Sequence, residues 1–149
     1  MKSTKKNSLA KKIFLGIFTI LILFSVDSYA KKAFFLTSSV VPAARGFAKI
    51  TRDENKNYAI KIHISGLAEV ERLQPSKHTY VVWMVTDEEI TKNIGQLKSS
   101  SGILSKKLKA TLETRSSFKP VKIFITAEDE AEIQYPGMQM VLSTDRFSN

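Results

Sequence analysis

Short apolar runs separated by turn residues constrain the fold of this chain more than any other feature of its sequence. From Tyr58 to Ser65, tyrosine or isoleucine alternates with small, polar or charged residues, a period of two that is typical of a half-buried β-strand. Similar runs recur at short intervals up to Thr144, and no stretch after Ala30 has the period of a long amphipathic helix. We therefore predict an all-β fold, an antiparallel immunoglobulin-like sandwich of about eight strands.

The run from Thr79 to Thr86 is the strongest predicted strand. It is apolar at almost every position, which indicates a central strand covered on both faces. We expect the second cover to come from the polar connection before this run, from the acidic segment Asp87–Glu89 after it, or from a partner.

A later run, from Leu104 to Thr114, is interrupted on its apolar face by Lys106. An inward-pointing lysine is one way in which edge strands avoid pairing with other chains, so we predict an edge strand there. The four residues from Ser99 to Gly102 are expected to form the turn that precedes it.

The segment from Met1 to Ala30 predicts an N-terminal signal-peptide helix. Five lysines precede an apolar run, and Ser28-Tyr29-Ala30 places small residues at the positions that a signal peptidase inspects. We expect cleavage there, a single domain over residues 31–149, and a periplasmic or secreted location. A retained inner-membrane anchor, with the domain facing the periplasm, is the alternative because Lys31 and Lys32 follow the expected cut.

Composition restricts the partners and the chemistry. The chain has a net charge of +9, of which residues 1–30 contribute +4, so residues 31–149 carry +5. This modest positive charge favours acidic partners or anionic lipid, and an exported chain is not expected to bind nucleic acid. The absence of cysteine excludes disulfides, thiolate metal sites and cysteine nucleophiles.

Residues that could perform chemistry are few. Met138 and Met140 share one face of a predicted strand and, with Met84 and His63, could supply thioether and imidazole ligands to Cu(I), although methionine more commonly packs in a core. No sequence motif places a nucleophile beside a base. We therefore expect a protein without enzymatic activity or cofactor, and keep a periplasmic copper-handling protein and a small carbohydrate-binding or hydrolase domain as alternatives.

A succession of short motifs resembles the C-terminal, extracytoplasmic domain of anti-sigma-K factors, the RskA-like family. In this chain a glycine-leucine strand end precedes Tyr-x-x-Trp, a short glycine strand follows, and Thr-x-Glu leads to a Pro-Gly turn and a final Val-Leu strand. The matching positions, which the resemblance suggests are structural, are Gly46, Gly66, Leu67, Tyr80, Trp83, Gly95, Thr126, Glu128, Pro136 and Gly137.

The resemblance implies the sandwich fold and a sensing or protein-interaction module with an envelope protein as partner. It does not imply sigma-factor binding, because only twelve residues precede the apolar run and the family has its sigma-binding domain at that position. A second departure follows Glu128, where Asp129–Gln134 stands in place of the family's glycine pair.

Overall fold

A computed structural model describes residues 30–100 and 109–147, which form two antiparallel sheets. The described strands are β1 (Ala30–Phe34), β2 (Arg45–Arg52), β3 (Tyr58–Ser65), β4 (Thr79–Thr86), β5 (Thr91–Gln96), β6 (Lys98–Ser100), β7 (Lys109–Ser116), β8 (Pro120–Glu128) and β9 (Met140–Ser143). A single 3₁₀ turn, Val70–Arg72, lies between β3 and β4. The predicted signal peptide lies outside the described residues, except for Ala30, which begins β1.

The order of the strands confirms the immunoglobulin-like sandwich. One sheet has the order β1-β2-β3-β7-β6 and the other has the order β5-β4-β8-β9. Strands β2 to β9 therefore occupy the positions A, B, C, C′, D, E, F and G of an immunoglobulin domain. Strand β1 is an addition at the edge relative to that domain. The described strands number nine where the sequence predicted about eight, because Lys98–Ser100 form the separate strand β6.

Two local predictions are wrong. Ser99 and Ser100 belong to β6 and pair with β7, so they do not form a turn. Strand β7 lies between β3 and β6, so it is not an edge strand. Lys106, on which the edge prediction rested, lies outside the described residues. The chain leaves one sheet after β5 and enters the other at β6 with only Leu97 between them, and so short a crossing leaves no turn signal in the sequence.

The core between the sheets is built by the inward positions that the period of two selects. On β3 these are the three isoleucines Ile60, Ile62 and Ile64, and on β4 they are Tyr80, Val82 and Met84. Burying side chains of this size stabilises the domain by roughly 1.5–3 kcal/mol each, which explains how it folds without disulfides. Met84 is therefore a core residue.

A second, smaller cluster lies on the outer side of the four-stranded sheet. Trp83 stacks on Phe124 with 6.3 Å between ring centroids, and Ile133 packs against them. Residues 129–139, the connection between β8 and β9, cover this cluster and will be called the covering loop. Asn93 Nδ2 holds it by donating to the carbonyls of Ala131, at 2.8 Å, and Ile133, at 3.0 Å.

The covering loop corrects the prediction for the second face of β4. That face is covered, as its apolar residues indicated, but the cover is neither the preceding connection nor Asp87–Glu89. Instead the chain returns to it about 45 residues later, after β8. In an immunoglobulin domain the tryptophan of the equivalent strand packs inward on a disulfide. Trp83 lies on the opposite face of β4, in a chain without cysteine.

The titration of Tyr80 provides a test of the core. Its hydroxyl donates to the carbonyl of Ala68 at 3.0 Å, and burial, followed by the charge of Glu71, raises the pKa of Tyr80 to about 12. Because the folded-state pKa lies above the ordinary 10.0, the stability gained from the neutral phenol is present below pH 10 and is lost between about pH 10 and 12. We expect the phenolate absorbance of Tyr80 to develop near pH 12, well above the ordinary value of 10.0.

Tyr80→Phe is the control variant. Its near-ultraviolet titration should lack the component that develops near pH 12 in the wild type. The free energy of unfolding of Tyr80→Phe should also fall less steeply across this pH range. A difference titration with its midpoint near the ordinary tyrosine value would contradict the buried position of Tyr80.

Candidate functional site

The outer surface of the five-stranded sheet, which we call the basic face, combines aromatic and cationic side chains. Its residues are the outward members of each alternating strand, so the same period of two that buries the isoleucines of β3 exposes Lys61 and His63. In contrast to the outer side of the other sheet, no loop among the described residues packs over this face as a hydrophobic cluster.

An aromatic row crosses the centre of the basic face. The strand registers align Phe34, Phe47, His63, Thr111 and Lys98 across all five strands. Phe34 and Phe47 meet edge to face with centroids 6.3 Å apart, and Phe47 and His63 lie 5.4 Å apart. Phe34 is 65% exposed, which is unusual because phenylalanine side chains are most often buried.

A row of lysines lies beside the aromatic row. Lys32, Lys49 and Lys61 are directly opposite one another on β1, β2 and β3, and Glu113 on β7 completes the row with a 3.0 Å ion pair to Lys61. Like charges directly opposite across strands are destabilising. Lys32 partly offsets this cost by placing its Nζ 3.7 Å from the centroid of the Phe47 ring.

The charge of residues 31–149 is concentrated on the basic face. Seven cations lie there against two carboxylates, that of Glu113 and that of Asp53, which lies 3.7 Å from Arg115. The resulting net charge of +5 equals that of residues 31–149 as a whole. The cations are Lys32, Arg45, Lys49, Lys61, Lys98, Lys109 and Arg115. A hollow of about 480 Å³ lies along the aromatic row, between Lys32 at one side and Lys109 at the other.

This arrangement is suited to binding an anionic surface. The exposed Phe34 ring and the half-buried Phe47 ring supply apolar area, and the surrounding cations supply a positive field. Interfaces between proteins have the same anatomy, an apolar or aromatic centre with a polar rim. The two phenylalanine rings are inclined at 61° to each other, so they do not form the flat platform on which a sugar ring would stack.

Most of the residues that carry the resemblance to the RskA-like family lie outside the basic face. Four of them organise the covered side of the four-stranded sheet: Trp83 Nε1 donates to Thr126 Oγ1 at 2.7 Å, and the Gly137 N–H donates to Glu128 Oε1 at 2.7 Å. A Cβ on Gly137 would lie 2.5 Å from Glu128 Oε2, so any larger residue would displace this buried carboxylate. Pro136 precedes Gly137 in the covering loop.

The other signature residues also have positions that packing or backbone geometry explains. Leu67 and Tyr80 belong to the core between the sheets. Gly46 lies in β2 opposite Ile64, and Gly95 lies at the irregularity in the pairing of β4 with β5.

The structure does not assemble the residues of the copper hypothesis. His63 is exposed on the basic face, and Met84 is buried between the sheets. Met138 is fully exposed in the covering loop and Met140 is exposed on β9, both in or beside the other sheet. Within residues 30–100 and 109–147, no three histidine or acidic side chains are grouped closely enough to hold a metal ion.

Comparison with known proteins adds no relative: no family model, no curated protein and no solved structure matches the chain. In the part of the chain that the structure describes, no helix is long and apolar enough to span a membrane.

The sequence indicates part of the basic face. The period of two in Tyr58–Ser65 predicts that His63 lies on the polar face of its strand with Lys61, and the structure places both outward. Phe34 and Phe47 were not singled out as one site because their 13-residue separation has no motif. Alternation of strands β1 and β2 could have placed both on outward positions, but only the register shows that they are neighbours.

Proposed function

We propose that this chain is a non-enzymatic extracytoplasmic interaction module, and that its basic face binds an acidic surface of an envelope protein. The observation that carries this proposal is the aromatic row bordered by the lysine row, on a face with a net charge of +5. The resemblance to the extracytoplasmic domain of anti-sigma-K factors supports a sensing or interaction role without sigma-factor binding.

The positive charge of the basic face favours a partner other than a second copy of this domain. Two copies facing each other through the basic face would bring like charges together, which costs several kcal/mol at an interface. The lysine row also costs stability in the free domain, and Lys49 and Lys61 lie on interior strands where protection of a sheet edge does not account for them. An acidic partner would remove this repulsion and bury Phe34 and Phe47 at the centre of the contact.

The decisive variant reverses two charges of the lysine row. With Lys32→Glu and Lys49→Glu together, we expect capture of envelope proteins by the exported, purified domain to fall at least about tenfold, a loss of about 1.4 kcal/mol. Lys92→Glu, on β5 of the other sheet, makes the same kind of change away from the face and should capture as the wild type does. Quantitative mass spectrometry of proteins retained by each variant measures the difference.

Direct titration with the retained protein then separates the alternatives. Binding should weaken as salt rises and should weaken further in Phe47→Ala, since aromatic residues at interface centres contribute strongly. Equal capture by the wild type and the double variant would refute the proposal. Retention by anionic phospholipid vesicles or an acidic polysaccharide, with no protein retained, would replace the protein partner by a membrane or a polymer.

A further inference from the structure

A second hollow lies at one end of the sandwich, away from the basic face. Lys31 is opposite Ile50 in the β1–β2 pair and Arg52 is opposite Tyr58 in the β2–β3 pair. Because Ile50 points into the core, these positions share its face and extend the space between the sheets by one more layer. Elsewhere in this sheet the inward positions hold apolar residues. At this end of the sheet two inward positions hold cations, Lys31 and Arg52.

The opposite wall comes from the other sheet and from the C-terminal segment. Pro120 begins β8 and Lys119 precedes it, while Phe147 is held beside them by its N–H donating to the carbonyl of Val121 at 2.9 Å. Together the two walls enclose a cleft of about 360 Å³, with Ile50 of the core as part of its floor. We call this space the end cleft.

Charge and aromatic contacts distinguish the end cleft from an ordinary closed end of a sandwich. Its lining contains Lys31, Arg52 and Lys119 and no acidic residue among the described residues. The Arg52 guanidinium lies 5.8 Å from the ring centroid of Tyr58, and Lys31 Nζ lies 5.6 Å from that of Phe147. The Tyr58 ring holds the Arg52 guanidinium in place without neutralising its charge, so Arg52 and Lys119 give the cleft a positive mouth beside apolar walls.

We infer that the end cleft binds a small amphiphilic carboxylate. Arg52 and Lys119 would hold the carboxylate, and Ile50 and Phe147 would contact the apolar part. Guanidinium groups pair with carboxylates through two parallel hydrogen bonds, and partial removal from water strengthens them. The volume is within the range of small-molecule sites and at its lower end, which suits one short chain rather than the two chains of a phospholipid.

Octanoate and its uncharged amide, octanamide, are matched probes of this inference, and isothermal titration calorimetry measures both. The exported domain should bind octanoate at least about tenfold more tightly than octanamide, because only octanoate carries the charge that the cleft recognises. Arg52→Gln with Lys119→Gln should weaken octanoate binding at least about tenfold. Lys49→Gln with Lys98→Gln removes the same charge from the basic face and should leave octanoate affinity unchanged.

Three results would overturn the inference. They are equal affinity for the two probes, undiminished binding by the Arg52→Gln/Lys119→Gln protein, and absence of octanoate binding by a wild type that unfolds cooperatively. The end-cleft variants should still capture the envelope protein expected for the basic face. Failure at one site can therefore be distinguished from failure at the other.

Discussion

Replacing Trp83 by alanine is expected to destabilise the domain by about 3–5 kcal/mol, the largest effect that we expect from a single side chain. Trp83 is fully buried, stacks on Phe124, and donates from Nε1 to Thr126 Oγ1. Truncation removes this packing, leaves a cavity under the covering loop, and leaves the buried Thr126 hydroxyl without its donor. Urea denaturation followed by far-ultraviolet circular dichroism measures the loss without relying on tryptophan fluorescence.

Two further variants separate packing from general sensitivity to mutation. Trp83→Phe retains a ring beside Phe124 but lacks the indole N–H, so its loss should be clearly smaller than that of the alanine variant. Tyr135→Ala removes another aromatic side chain of the covering loop region, one that is 80% exposed, and should change stability by no more than about 0.5 kcal/mol. A loss below about 1 kcal/mol for Trp83→Ala would contradict the tight packing of the covering loop.

Gly66→Ala is expected to cost about 2–5 kcal/mol, although it adds only one methyl group. Gly66 has φ +70°, a left-handed conformation that costs an L residue about 1–2 kcal/mol. In addition, a Cβ at this position would lie 2.5 Å from the carbonyl oxygen of Ala43, and overpacking against backbone costs about 1–3 kcal/mol. The urea midpoint and the slope of the unfolding transition measure the change.

Thr37→Ala is the matched control, since Thr37 is exposed and the change should remain within about 0.5 kcal/mol. An unchanged midpoint for Gly66→Ala would contradict both the left-handed conformation of Gly66 and its close approach to Ala43. A lower slope together with a lower midpoint would indicate that the variant also loses compactness in its native state.

The strands could be predicted from the sequence to different degrees. The prediction for β3 coincides with the structure from Tyr58 to Ser65 because its isoleucines alternate without interruption. The crossing at Leu97 was missed because one residue changes sheets without a glycine or proline to mark the change. The cover of Trp83 was also missed, since a loop that returns from a distant part of the chain has no local signal.

The candidate site was likewise predictable from the sequence only in part. The outward position of His63 follows from its place between two isoleucines on β3. That Phe34 and Phe47 meet, and that Lys32, Lys49 and Lys61 form one row, depends on which residues of neighbouring strands are opposite each other. The end cleft could not be predicted from the sequence, because its walls come from both sheets and from Phe147 near the C-terminus.

The sequence by itself determined that this is an all-β chain, which residues of β3 face the core, and which residues of β4 share a face. It did not determine which face of β4 points into the core, because both faces are apolar. Only the tertiary structure decided the order of the strands and their register, and hence the basic face and the end cleft. The physical reason is the period of two: shifting a strand by two residues, or pairing it with another neighbour, leaves every side chain on the same face. Turns, packing between the sheets and contacts distant in sequence, such as Asn93 with the covering loop, select one arrangement.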